Sequence, residues 1–246
     1  MIDENALEPS QTGGEGSQEV TGGFLQSIMD IFIDPGKVFK RIDTGLTWWK
    51  PFILVSVVSM IIGWLMLPMR RRLLELNVTG MPEEQLEQAL QGMDRFGVIG
   101  LIAVPILLVI VLLIIAGIAH LFISFVSSDA NFKKTLSLTS YTNLIPMLGQ
   151  IIMVIVLRMK GIESVESTAD LQLSFSLAPL FPELAGFLKA FVESLGLFNI
   201  WFYIIFLLGI AAIFKVERSK ALVPVIPIWL LTIVLTYLQT LGGGMR

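Results

Sequence analysis

The chain has 246 residues and a net charge of −3, with 54% apolar residues against only 15% charged ones. Soluble domains run near half apolar and a quarter charged, so this balance excludes an ordinary soluble globular fold. Cysteine is absent, which excludes disulfide staples and thiolate chemistry.

Residues 1–21 carry Asp3, Glu4, Glu8, Glu15 and Glu19 with no Lys or Arg, together with Gly13, Gly14 and Gly16. Such a segment cannot bury enough apolar surface to order itself and is predicted to be a disordered acidic tail. It also lacks the basic start of a signal peptide, so the first span is expected to act as an uncleaved insertion signal. Residues 22–246 then form one membrane domain.

The segment 22–50 is amphipathic. Phe24, Ile28, Ile31 and Phe32 recur at helical spacing. Asp34-Pro35 restarts the chain with cap and first-turn chemistry. Beyond it Val38, Phe39 and Ile42 oppose Lys37, Lys40 and Arg41. This pattern predicts an interfacial helix, its apolar side in the acyl boundary and its cations near headgroups. Trp48, Trp49 and Lys50 follow as an aromatic and charged anchor ahead of Pro51. The membrane-surface set is therefore Lys37, Lys40, Arg41, Trp48, Trp49 and Lys50.

Five uncharged apolar runs come next, near residues 51–69, 97–126, 135–157, 195–214 and 221–241. A hydrocarbon core of about 30 Å is crossed by about 20 helical residues. The fold class is accordingly all-α: a polytopic integral membrane protein built as a five-transmembrane-helix bundle with interfacial amphipathic helices. Between the runs, Arg70, Arg71 and Arg72 end the first span. Pro82, Glu83 and Glu84 then open a short amphipathic helix carrying Leu86, Leu90 and Met93. In the long third loop, Glu163, Glu166 and Asp170 mark a solvated stretch. Leu184, Phe187, Leu188, Phe191 and Leu195 beyond it form a second interfacial stripe. The short second and fourth loops are net basic through Lys133, Lys134, Lys215, Arg218 and Lys220. These clusters flank spans, so topology explains them better than nucleic acid does, and they favour a cytoplasmic N-terminus.

Polar or small residues inside the spans fall on stripes: Ser56, Ser59 and Gly63; Gly117, His120 and Ser124; Thr139, Asn143, Pro146 and Gln150; Asn199 and Tyr203; Thr232, Thr236 and Gln239; Tyr141 is a further polar residue of the third span. Two readings stay open. They are hydrogen-bonding glue between helices, each bond contributing about 0.6 kcal/mol, or the lining of a solute path. Glue is favoured because no Asp, Glu, Lys or Arg sits mid-span, where coupled transporters usually carry one. His120, the single histidine, is either a proton relay or a neutral group satisfied by Tyr141, Asn143 or Asn199. One histidine and no cysteine leave no metal site. Hydrolase, Walker, dinucleotide and HExxH motifs are missing, so neither an enzyme nor a cofactor is expected.

Asp34-Pro35 with Val38-Phe39, the Trp48-Trp49 and Pro51 entry, and His120-Leu121 come in a recognisable order. They are followed by Phe132, Thr135 and Leu136, the run from Tyr141 to Pro146, Leu197 to Trp201, Gly209-Ile210 and Lys220-Ala221. Over roughly residues 24–240 the chain resembles the Yip1-domain family, its bacterial branch in particular. The resemblance implies five helical spans and a cytosolic N-terminus, in a bacterial cytoplasmic membrane. The acidic motif tied to GTPase function in eukaryotic relatives has no counterpart in residues 1–21. The expected role is a non-enzymatic membrane organiser that binds the lipid bilayer, membrane-protein partners or a second copy of itself. The alternative is a small transporter or lipid-handling protein that uses the polar span faces.

Overall fold

A computed structural model describes residues 23–77, 82–166 and 175–243. The acidic tail, Asp170, and the side chains of Leu86, Met93 and Gln239 lie outside the described residues. Two short helices open the fold, α1 (Phe24–Ile33) and α2 (Pro35–Asp43), followed by α3 (Trp49–Asn77) and α4 (Glu83–Val126). Then come α5 (Phe132–Thr142), α6 (Leu144–Lys160), α7 (Gly186–Ser194), α8 (Leu197–Ile213) and α9 (Arg218–Gly243). No strand occurs among the described residues.

Four helical stretches are long and apolar enough to cross a bilayer: Trp49–Leu76, Ile99–Val126, Phe132–Lys160 and Arg218–Leu238. The number reaches five when α7 and α8, bent by 61°, count as one broken span. Length supports that pairing. Alone, the 17 residues of α8 rise about 26 Å, short of the roughly 30 Å hydrocarbon core. Helix α7 continues the path along α9, where Phe187 meets Tyr237 and Phe191 meets Trp229. The indole Nε1 of Trp229 also donates to Ser194 Oγ at 3.0 Å. Part of the second apolar stripe thus contacts a span, while Phe187 and Leu188 stay 52% and 61% exposed.

Outward faces carry apolar stripes: Ile53, Val57, Ile61 and Trp64 on α3, and Leu222, Ile226 and Leu230 on α9, all exposed. Exposed apolar area this continuous has no place in water. Inside, α5 is the pivot. It packs against α2, α3, α4 and α8, and every residue from Thr135 to Thr142 is buried. Its threonine hydroxyls are satisfied locally, Thr139 Oγ1 donating to Thr135 O and Thr142 Oγ1 to Leu138 O, both at 2.9 Å. The break between α5 and α6 has a covalent cause. Pro146 lacks the N–H that Thr142 O would accept, and its ring collides with that carbonyl, so the helix restarts at Asn143.

Two expectations change. The loop helix beginning at Glu83 does not stop before the second span but runs unbroken into it as the 44-residue α4. At 1.5 Å per residue that is about 66 Å, so α4 reaches well past a bilayer beside the Arg70–Arg72 end of α3. The larger change concerns α2. Val38, Phe39 and Ile42 do not face acyl chains; they are buried in the main core against α8 and α5. Gly209 of α8 makes this approach possible, since a Cβ there would overlap Leu138 and come within 3.0 Å of Phe39.

Candidate functional site

The polar stripe on α6 lies between two cavities. One, of about 250 Å³, opens at the α7–α8 break and is lined by Pro146, Gln150, Glu193, Gly196 and Asn199. The other, of about 100 Å³, is lined by Ser59, Ser140, Asn143, Pro146 and Gln150. Pro146 and Gln150 border both. Asn199 Nδ2 donates to the Glu193 carbonyl at 3.5 Å, and Leu197 N–H donates to Phe175 O at 2.8 Å. These bonds occupy backbone groups that the broken helix would otherwise leave open. Asn199 lines only the first cavity and Asn143 only the second, with Pro146 and Gln150 between them.

The other polar span residues are dispersed. His120 sits half-buried near the end of α4, its ring 5.5 Å from Phe132 and edge-on to it, with Nδ1 unpartnered. Neither Tyr141, Asn143 nor Asn199 hydrogen-bonds it; Phe132 occupies the place expected for them. Ser124 is exposed and donates to His120 O at 2.8 Å. Tyr141 is fully buried on α5 with its hydroxyl unpartnered. Tyr203 borders an apolar groove between α8 and α9, and Thr236 is half-buried on α9. No common site links these five to the α6 cavities.

The membrane-surface set divides in two. Lys37 and Lys40 are exposed, Lys37 bridging Asp34 at 3.2 Å. Trp49 is exposed, with Lys50 Nζ 5.6 Å from its ring centroid. Trp48 turns inward onto Leu112, Ala116 and Leu136, its carbonyl accepting from Ser140 Oγ at 2.7 Å. Arg41 is the main correction. It is 6% exposed, and its Nη1 donates to Asp30 Oδ2 at 2.6 Å and to Ser27 Oγ at 3.0 Å. Rather than reaching headgroups, Arg41 clasps α1 to α2 through a buried ion pair. Sequence reasoning missed Asp30 and Ser27. The available signal was a lone acid inside the apolar stripe of Ile28, Ile31 and Phe32, a position where a charge needs a partner.

Three connections gather on one end of the bundle. Lys134 Nζ of α5 lies 2.5 Å from Asp43 Oδ1 of α2. Ser127 Oγ, just after α4, donates to Phe214 O, just after α8, at 3.0 Å. Lys134, with Lys215 beyond it, holds the Asp43 carboxyl below the usual carboxylate range. The N-terminal segment and the two short basic loops thus share a face, the arrangement that an even number of crossings before each loop requires.

Helices apolar on their outer surfaces around a polar, hydroxyl-rich centre describe a membrane bundle, and the family model for the Yip1 domain matches residues 29–238. The chain belongs to the Yip1-domain family. Comparison with curated proteins and with solved structures gives no match. The Yip1 domain runs from the second half of α1 through most of α9, so the buried clasp of Asp30 and Arg41 lies inside it. Among the described residues no group of three metal-ligating side chains converges.

Proposed function

We propose that this Yip1-domain chain is a non-enzymatic membrane-organising scaffold whose docked N-terminal hairpin presents an apolar edge to one leaflet. The observation that carries the reading is the outer stripe of α1. Leu25, Met29 and Ile33 are 76%, 63% and 77% exposed at i, i+4 and i+8, while the hairpin beneath them is clamped by Arg41 and Asp30. A rigidly held apolar ridge beside the spans is suited to lie in the acyl boundary of the cytoplasmic leaflet, with Lys37 and Lys40 toward the headgroups. The short, net basic loops that accompany this face support its placement on the cytoplasmic side.

The test is a triple substitution, Leu25→Ser, Met29→Ser and Ile33→Ser, in proteoliposomes. The bundle should still insert, while quenching of a probe on α1 by brominated acyl chains falls to the level of water-exposed sites and vesicle shape reverts to that of empty liposomes. Unchanged quenching and unchanged shape would refute the proposal. Deleting residues 22–42 is a poorer experiment, because it strips Val38, Phe39 and Ile42 from the core.

A second reading, solute or lipid handling, draws on the cavities flanking Pro146 and Gln150 at a broken span. At about 250 and 100 Å³ both are smaller than the 300–1,000 Å³ of ordinary ligand pockets, which favours the scaffold. Loss of lipid or solute movement in Asn143→Ala and Asn199→Ala, with unchanged thermal stability, would reverse that preference.

A further inference from the structure

A separate cavity of about 180 Å³ lies where the α2–α3 connection meets the start of α5, bordered by Asp43, Gly45, Asn131, Lys133, Lys134 and Ser137. Helix α5 begins there. Asn131 Oδ1 accepts from Lys134 N–H at 3.2 Å and Asn131 O accepts from Thr135 N–H at 3.0 Å. The amides of Phe132 and Lys133 precede these bonds and stand at the positive end of the helix dipole. Lys133 has no ion-pair partner among the described residues. Asp43 also borders the cavity and would repel an anion, but its charge is taken up by Lys134 at 2.5 Å, with Lys215 nearby. Lys133 and Lys134 against Asp43 leave the lining of the cavity net positive.

The deciding observation is Ser137. It borders the same cavity one turn into the helix, is 1% exposed, and its hydroxyl has no hydrogen-bond partner. The threonine and other serine hydroxyls near it on α5 are satisfied, Thr135 by Asn131 O, Thr139 by Thr135 O and Ser140 by Trp48 O, while the unpartnered Tyr141 hydroxyl does not border this cavity. An unpaired buried hydroxyl is costly unless something outside the chain completes it. A helix N-terminus alone attracts any anion. A helix N-terminus with an unpaired lysine and an unsatisfied serine donor matches a group with several strong acceptor oxygens.

We propose that this cavity binds a phosphate group at the membrane surface, through the Lys133 ammonium, the first amides of α5 and the Ser137 hydroxyl. Asp43 holds Lys134 alongside. The phosphate belongs either to a lipid headgroup or to a free phosphate, and both sources share the same contacts. This site does not depend on the α1 stripe.

The experiment uses the full chain in neutral detergent, titrated separately with inorganic phosphate, a short-chain phosphatidylglycerol, and chloride at matched ionic strength. The melting temperature and phosphorus-31 line broadening are followed. The expected result is a saturable response to at least one phosphate-bearing probe and none to chloride. Response to the lipid alone identifies a headgroup; response to inorganic phosphate as well identifies a site for free phosphate. Lys133→Gln should weaken binding about tenfold and Ser137→Ala severalfold, while Lys160→Gln, exposed at the far end of α6, leaves it unchanged. Equal responses to chloride and phosphate would overturn the proposal, as would parallel losses in Lys133→Gln and Lys160→Gln. Line broadening with the unsubstituted protein is independent of any variant's folding, and its failure to saturate would also overturn it.

Discussion

Substituting Arg41 with Met tests whether the N-terminal hairpin is part of the bundle or merely lies beside it. The methionine keeps most of the aliphatic stem but removes both donated bonds, to Asp30 Oδ2 and Ser27 Oγ. Asp30 then remains in a site where its side chain is only 13% exposed, without its cation. Breaking a buried pair by deleting one member costs about 3–5 kcal/mol. At 1.4 kcal/mol per tenfold change, the undocked fraction rises by about two to three and a half decades. The chain contains no cysteine, so Val38→Cys supplies a single thiol at a fully buried position beneath α8. Its labelling rate in detergent reports undocking directly. Arg41→Met should accelerate labelling by at least a hundredfold. Adding Asp30→Leu should recover most of that, because a pair replaced by apolar groups is often neutral. Acceleration below tenfold, or a Val38→Cys thiol that labels as fast as in denaturant before any further substitution, would refute the docked hairpin.

Gly209→Ala places a methyl into Leu138 and against Phe39. Overpacking of this kind costs about 1–3 kcal/mol, and the melting temperature should fall by several degrees, with partial recovery when Leu138→Ala is added. His120→Phe should leave stability within about 1 kcal/mol, because the ring already packs edge-on to Phe132 and Nδ1 has no bond to lose; a large loss in calorimetry would show a partner that this packing does not contain. The depressed Asp43 carboxyl has the opposite sign from a raised histidine. Its contribution is present above the unfolded value near 3.9 and disappears as pH falls through the lower folded value. Asp43→Asn should therefore lower stability at neutral pH by a small amount, under about 1 kcal/mol because the Asp43–Lys134 pair is partly exposed, and its difference from the parent protein should shrink to nothing as pH falls below about 4.

Much of the bundle was legible because a bilayer imposes a one-dimensional test, the length of an uncharged run. The runs at 51–69, 135–157 and 221–241 pass it and lie within helices. The run at 195–214 falls short, because Gly196 begins α8 and the remaining length belongs to α7. The stripe of Leu184, Phe187, Leu188, Phe191 and Leu195 made α7 read as interfacial, and nothing local announces that Phe187 and Phe191 meet Tyr237 and Trp229. The α6 stripe was legible for a similar reason. Asn143, Pro146 and Gln150 repeat at helical spacing, so they share a face whatever packs beside it.

Amino-acid order by itself determined that the chain crosses a membrane and that it is helical. These follow from run length and from backbone hydrogen bonds that lipid cannot satisfy. Only the tertiary structure decided which way the amphipathic hairpin faces. An apolar stripe buries equally well in acyl chains or against another helix, and the difference rests on contacts distant along the chain: Gly209 leaving room for Phe39, and Asp30 drawing Arg41 inward. The same distance hid the cavity at Ser137, whose unpaired hydroxyl acquires meaning only beside Lys133 and the turn after α2.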